Sequence, residues 1–278
     1  MNVSAPLGVF DSGLGGLTVV QQLQRVFPGL SIIYYGDTAR VPYGTKSPRT
    51  VTHFSRQIVD FLIAQNVQAI VVACNTASAT AVYTLKSEYS LPIYGVIEPG
   101  ALAAAKATRS GRIGVIGTNS TIRASSYTKA IHAINPDLVV IGKPCPLFVP
   151  LVEEGWEDHP VTETVAREYL DPMLSEDIDT LILGCTHYPL LSKTLRRVMP
   201  EHIHIIDSGI AAANALQGQV ISQDESPASY KYFVSDMPER FAEIGARFLG
   251  RPMEQVYYFD VDQKWSPDEI AEAPLIPV

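Results

Sequence analysis

Two cysteines in matching settings carry most of the chemistry this chain can offer. Cys74 lies in Ile-Val-Val-Ala-Cys-Asn-Thr (70–76), and Cys185 lies in Leu-Ile-Leu-Gly-Cys-Thr-His (181–187). A thiolate is a base as well as a nucleophile, and its pKa of about 8.5 falls beside a helix N-terminus or a cation. Two such groups on opposite faces of one carbon could remove a proton from one side and return one from the other. The outcome is inversion of a stereocentre. This works in both directions only if one sulfur starts as thiolate and the other as thiol, so polar neighbours must set the balance. Asp11 and His187, the latter two residues beyond Cys185, are the candidates. The third cysteine, Cys145, stands between Pro144 and Pro146 and reads as a buried, inert thiol.

Both reactive cysteines follow short, uncharged apolar runs, the pattern of strands buried on both faces in a parallel sheet. The polar residues after each run then fall beyond the strand's carboxyl end, where open parallel sheets place ligands. Leu7–Phe10 reads as a first strand, followed by the glycine-rich turn Asp-Ser-Gly-Leu-Gly-Gly (11–16) and a helix with Leu17, Val20, Leu23 and Phe27 at helical spacing. Such a turn can present backbone N–H groups to an anion, or can simply be tight. Ser31–Gly36 reads as a second strand ending at Asp37, about where a ribose-binding acid would fall. Position 18 is Thr, however, so Gly13, Gly15 and Gly16 do not complete a dinucleotide fingerprint. Pro42 and Gly44 punctuate a loop that holds Tyr43, either a buried rim residue or a ligand contact.

A helix from about Arg49 to Asn66 leads to the Cys74 strand, after which Asn75, Thr76 and Ser78 open another, with Asn and Thr as ordinary caps. Leu91–Ile97 reads as a strand broken by Glu98-Pro-Gly, and an Ala-rich helix runs to about Thr108. The plan then restarts with a strand at Arg112–Ile116, a turn at Gly117–Thr121 and a helix over Ile122–Ile134. Sixty-three positions separate Asp11 from Cys74, and sixty-seven separate Thr118 from Cys185. Each interval starts at a strand-end polar turn and finishes at a strand-end cysteine. This spacing predicts an internal duplication, two α/β units of similar plan. Glu153 and Glu154 are a solvated pair or include one inward-facing acid. His202 and His204 alternate with Ile at strand period and read as a solvent-facing edge. Asp207-Ser-Gly starts a helix, Tyr230–Val234 and Val256–Phe259 read as late strands, Pro238 opens the helix between them, and the proline-rich end reads as a loose tail.

The bulk properties agree with such a protein. The 278 residues suit two domains of ordinary size, and 46% hydrophobic with 18% charged residues is a globular composition. A net charge of −8 argues against nucleic acid or an anionic membrane as the main partner. No apolar run approaches the roughly 18 residues of a membrane span. Met-Asn-Val-Ser-Ala-Pro lacks the basic region of a signal peptide, so the cytoplasm is expected. There, three cysteines without metal-type spacing should be free thiols.

At these same residues the chain resembles the glutamate racemases, cofactor-independent enzymes of the aspartate/glutamate racemase superfamily. The resemblance is carried by FDSGLGG (10–16), YYGDTARVPYG (34–44), VVACNTAS (71–78), VIEPG (96–100), GVIGTNSTI (114–122), CPLFVPLVEEG (145–155), DTLILGCTHYPLL (179–191) and IDSG (206–209). These blocks span roughly residues 7–210 in family order, whereas the segment after about residue 220 carries little family signal. The resemblance implies that Cys74 serves the D-enantiomer and Cys185 the L-enantiomer, with Asp11 assisting Cys74, His187 assisting Cys185, and Glu153 near the latter. Asp11, Ser12, Pro42, Tyr43, Gly44, Asn75, Thr76, Thr118, Thr121, Thr186 and His187 match substrate-contacting positions. Hydroxyls, an amide and backbone N–H groups can hold the substrate carboxylates without a fixed Arg, and can stabilise charge building on the α-carboxylate.

The family further implies two similar α/β domains with mainly parallel sheets, pseudo-twofold related, with the active site in the cleft between them. Residues 1–97 plus 208–278 would form the Cys74 side and residues 98–207 the Cys185 side. No cofactor or metal is expected. The partner would be glutamate itself, and the product D-glutamate a building block of peptidoglycan. Dimers occur in the family with differing interfaces, so a homodimer is an open expectation. The rival readings are an aspartate racemase of the same superfamily, a pyridoxal-phosphate racemase (no lysine sits in a strand-end motif), a cysteine hydrolase, a redox pair, and a non-catalytic amino-acid-binding protein.

Overall fold

The computed structural model describes residues 5–222 and 228–263. Among the described residues ten strands form in chain order: β1 (Leu7–Asp11), β2 (Ile32–Gly36), β3 (Ala69–Val72), β4 (Ile93–Gly95), β5 (Arg112–Gly117), β6 (Val139–Pro144), β7 (Thr180–Gly184), β8 (His204–Asp207), β9 (Tyr230–Val234) and β10 (Val256–Tyr258). They build two sheets, a six-stranded one in the order β10-β9-β2-β1-β3-β4 and a four-stranded one in the order β6-β5-β7-β8. Every pairing in both is parallel. Parallel neighbours need crossovers, and the helices supplying them cover the faces. That is why β1, β2, β3 and β7 are buried along their whole length, as their apolar runs require, with Asp11 the one charged residue, at the end of β1.

The shared order 2-1-3-4 and 6-5-7-8 is the physical form of the predicted duplication. In the first sheet the chain leaves β1 for β2 on one side and returns to β3 on the other. In the second it leaves β5 for β6 and returns to β7. Each sheet therefore has a switch point, between β1 and β3 and between β5 and β7, where the crevice at the strand ends accepts a ligand. Asp11 and Cys74 stand at the first, Thr118 and Cys185 at the second.

The two units share apolar packing. Leu7, Val9 and Leu17 of the first belong to one contiguous cluster with Leu181, Leu183 and Tyr188 of the second. The late strands β9 and β10 extend the first sheet beyond β2. The helix between them, Pro238–Leu249, packs on the helix Leu17–Val26, whose other neighbour is Ser208–Ala215. Proline opens the late helix, and Asp207 caps Ser208–Ala215 by accepting from the N–H groups of Gly209 and Ile210. His204 lies exposed on the edge strand β8, as its alternation with Ile suggested.

Three local expectations need correction. The strand expected at Leu91–Ile97 is only Ile93–Gly95, because Ile97 already begins the helix Ile97–Ala107. Glu98-Pro-Gly lies in the first turn of that helix, where proline's missing N–H costs no bond. The helix expected over Ile122–Ile134 is two, Asn119–Ala124 and Ser126–Ile134, separated by Ser125 at φ +52°. The cap of the helix Asn75–Thr80 is Cys74 itself rather than Asn75 or Thr76. The proline-rich end from residue 264 lies outside the described residues.

Candidate active site

Both sulfurs line a single cavity of about 390 Å³ between the two sheets. Its wall includes Ser12 after β1, Pro42, Tyr43 and Gly44 of the loop after β2, Asn75 and Thr76 after β3, Thr118 after β5, Glu153, and Thr186 and His187 after β7. The volume suits a small ligand. Among the described residues that line it, none is Lys or Arg, and His187 is the one side chain there able to carry positive charge.

The two thiols differ in surroundings. Cys74 Sγ accepts from the Ala77 N–H at 3.5 Å and donates to Ser12 Oγ at 3.7 Å. Burial, reinforced by the Asp11 carboxylate, pushes its thiol up to about 12, the N–H and hydroxyl only partly opposing this. Cys74 is therefore a thiol at neutral pH. Cys185 Sγ lies 3.9 Å from His187 Nδ1, and Glu153 Oε1 lies 3.0 Å from His187 Nε2. Burial by itself would lower the imidazolium's pKa. Hydrogen bonds and charge from Cys185 and Glu153 outweigh it and raise the ring to about 10. His187 thus holds protons on both nitrogens, one toward the Cys185 sulfur and one toward Glu153.

Asp11 is fully buried and stands behind the cavity wall. It accepts from the Gly13 N–H at 3.0 Å and from Thr186 Oγ1 at 3.3 Å. Burial raises its pKa, against opposing help from His187 and the Gly13 N–H. Its hydrogen bonds thus run to the turn after β1 and across to the residue after Cys185. Its influence on Cys74 is through charge.

Three threonine hydroxyls cross the cleft. Thr76 Oγ1 is 2.8 Å from Thr118 Oγ1 and 3.3 Å from Thr121 Oγ1, and the last two are 3.0 Å apart. Thr76 and Thr118 line the cavity, whereas Thr121 is buried behind them. Asn75 also lines it, but its amide is already engaged, donating to Ser208 Oγ at 3.3 Å and accepting from the Tyr127 hydroxyl at 2.6 Å.

Tyr43 is held by its hydroxyl, which donates a short hydrogen bond to Asp37. Asp37 also accepts from both the Arg40 Nε–H, at 2.8 and 2.9 Å, and Ser235 Oγ, at 3.0 Å. It is an interior anchor for the loop rather than a ribose ligand. With Asp37 removed, the Arg40 guanidinium, 9% exposed, would keep, among the described residues, only the solvent-exposed Asp262 as a charged partner. We expect Asp37→Ala to cost about 3 kcal/mol in urea unfolding, the range for breaking a buried pair. A change below about 0.5 kcal/mol would show the anchor to be dispensable.

Sequence reasoning missed Leu14, Val41, Thr45, Asn119, Pro146, Val149 and Pro150, which also line the cavity. All but Thr45 and Asn119 are apolar or proline, with no chemical signature of their own, and all but Thr45 fall inside one of the family blocks. Gly15 is explained by a close approach. A β-carbon there would stand 2.1 Å from Thr186 Oγ1 and 2.5 Å from His187 Nδ1. We expect Gly15→Ala to lower kcat/KM by about tenfold to a hundredfold while circular dichroism stays unchanged, because it displaces the groups beside Cys185. An unaffected rate would mean that the turn yields freely.

The comparisons with known proteins bear directly on this geometry. The model of the Asp/Glu/hydantoin racemase family matches residues 16–216. The chain belongs to this family. Racemase-family relatives include a glutamate racemase of Geobacter metallireducens, 48% identical over 261 residues, covering 92% of this chain and 97% of the relative. The crystal structure of a Bacillus anthracis glutamate racemase superposes with a TM-score of 0.89 at 40% identity, covering 94% of this chain and 99% of the other. A Francisella tularensis glutamate racemase solved with D-glutamate matches at a TM-score of 0.86 and 37% identity, covering 93% and 98%. The two-unit α/β fold with mainly parallel sheets is thus the racemase fold.

Proposed function

We propose that the protein interconverts L- and D-glutamate by proton transfer between two cysteines, without a cofactor. The observation that carries this reading is the placement of Cys74 and Cys185 at the two switch points, facing one small cavity, with His187 beside Cys185 and Ser12 beside Cys74. Cys185, beside the His187 imidazolium, takes the α-proton of L-glutamate. Cys74, a thiol at neutral pH, gives its proton to the opposite face. In the reverse direction the roles exchange. As the α-proton leaves, charge builds on the α-carboxylate, and the Ser12, Thr76 and Thr118 hydroxyls supply donors where no Lys or Arg does. Asp11 acts through charge on Cys74, and Glu153 keeps His187 protonated.

The glutamate assignment draws on the racemases matched at up to about half identity over nearly the whole chain. Among the described residues no helix is long and apolar enough to cross a membrane. We place the enzyme in the cytoplasm, supplying D-glutamate for peptidoglycan. Residues 1–97 with 208–278, and 98–207, are our domain assignment, and a homodimer our expected assembly. The test is chiral chromatography of L-glutamate and, separately, L-aspartate after incubation with purified protein and no additive. D-Glutamate should accumulate to the racemic mixture, with aspartate inverted at least about a hundredfold more slowly, a discrimination of about 2.7 kcal/mol. Faster inversion of aspartate would move the assignment to that substrate, and inversion of neither would leave an amino-acid-binding protein.

A further inference from the structure

The segment after residue 220 reaches the Cys185 side of the cavity through two consecutive residues. Arg247 and Phe248 lie in the last turn of the helix Pro238–Leu249, between the late strands of the first sheet. Phe248 is buried and meets the His187 ring edge to face, the centroids 5.3 Å apart at 87°. Arg247 extends over the end of the helix Phe148–Glu153. Its Nη2 donates to the carbonyl of Glu153 at 2.6 Å and to that of Val152 at 3.3 Å, and its Nη1 donates to Glu157 Oε1 at 3.1 Å. Gly155, at φ +78°, makes room for this: a β-carbon there would lie 2.6 Å from Arg247 Nη1.

Glu153 needs such support. Its side chain is 36% exposed and projects from a helix of six residues, yet its carboxylate must stay 3.0 Å from His187 Nε2. A half-exposed ion pair contributes little when nothing fixes its geometry. The Arg247 guanidinium fixes the Glu153 backbone with directional, charge-assisted bonds. Its neighbour Phe248 fixes the imidazole that Glu153 addresses.

We propose that Arg247 is a positioning residue for the Cys185 half of the reaction, holding Glu153 against His187 from the opposite unit. The inference rests on the two-thiol reading above. It has a signature that a purely structural role lacks. Enantiomers have an equilibrium constant of one, so any loss of kcat/KM must be equal in both directions. The side affected shows instead in isotope effects. Slowing proton transfer at Cys185 makes removal of the α-hydrogen of L-glutamate more rate-limiting, and makes removal from D-glutamate by Cys74 less so.

The experiment compares the unsubstituted protein, Arg247→Ala and Arg247→Lys with L- and D-glutamate carrying protium or deuterium at the α-carbon. For Arg247→Ala we expect kcat/KM to fall about tenfold in both directions. The isotope effect should rise with L-glutamate and fall with D-glutamate, and Arg247→Lys should recover part of both changes. An isotope effect is a ratio, so it is unaffected if part of the variant is unfolded. If Arg247→Ala yields no folded protein, Arg247→Gln, which keeps an N–H donor, takes the same test. Unchanged rates, or a loss in which both isotope effects stay level or move together, would overturn the proposal. Absence of racemisation in the unsubstituted protein would instead overturn the two-thiol reading, and this inference with it.

Discussion

Cys74→Ser and Cys185→Ser should each lower racemisation by about 10²–10⁴-fold, the range for removing a positioned acid or base. A hydroxyl keeps the size and hydrogen-bonding capacity of the thiol but ionises several units higher. It cannot take an α-proton near neutral pH. The two variants should still differ. With Cys74 replaced, Cys185 can remove the α-proton of L-glutamate and return a hydrogen to the same face. Proton NMR in D₂O should then show slow α-deuteration of L-glutamate without inversion. With Cys185 replaced, the same should hold for D-glutamate. Exchange of the same enantiomer by both variants would refute the assignment of faces. Full inversion by either would remove that cysteine from the mechanism.

His187→Gln should cost about 10²–10³-fold in kcat/KM, because Cys185 then loses the imidazolium at 3.9 Å. The protonation state can be read directly. With the ring raised to about 10, its Cε1–H resonance should stay flat from pH 6 to 9, where an ordinary histidine has already titrated, near pH 6.5. Stability gives an independent check. The folded state binds this proton more tightly than the unfolded chain does, so rising pH favours unfolding between the two pKa values. The stabilisation is fully present below about pH 6.5 and is lost as pH rises through about 10. The unfolding midpoint of the unsubstituted protein should therefore fall toward that of His187→Gln over this interval. A resonance titrating near pH 6.5, with parallel stability curves, would contradict a protonated resting ring.

The site was legible in the sequence where chemistry and topology coincide. Cys74 and Cys185 could be paired because each follows a strand with no charge, and such strands must be central and parallel. The near-equal intervals from Asp11 to Cys74 and from Thr118 to Cys185 correspond to the repeated order about β1 and β5. Residues that act from behind the wall were less legible. Thr121 and Asp11 were read as substrate contacts, but burial places them one layer back, and one sequence does not distinguish layers. Asn75 was read as a substrate contact and has its amide engaged by Tyr127 and Ser208, partners 52 and 133 positions away. Pro146, Val149 and Pro150 contribute shape alone. Arg247 was invisible for a further reason: its role depends on the last helix of the first sheet's unit reaching the other unit, and no local pattern encodes that contact.

The kink at Ser125 shows the limit of periodicity. Tyr127 and Ile131 are buried at helical spacing within Ser126–Ile134, and Ile122 stands before the residue at φ +52°. An apolar stripe reports which face is buried and is silent on whether the helix is continuous. At Glu98-Pro-Gly the reverse occurred, because a proline that reads as a break stands in a helix's first turn, where it breaks nothing.

The most direct test of the central claim is the fate of hydrogen during the first few per cent of conversion of L-glutamate in D₂O. Separate thiols on the two faces predict D-glutamate that carries deuterium at the α-carbon while the remaining L-glutamate keeps its protium. D-Glutamate that retains the original protium would mean that one group carries the proton across the substrate, and the account of two opposed cysteines would be wrong.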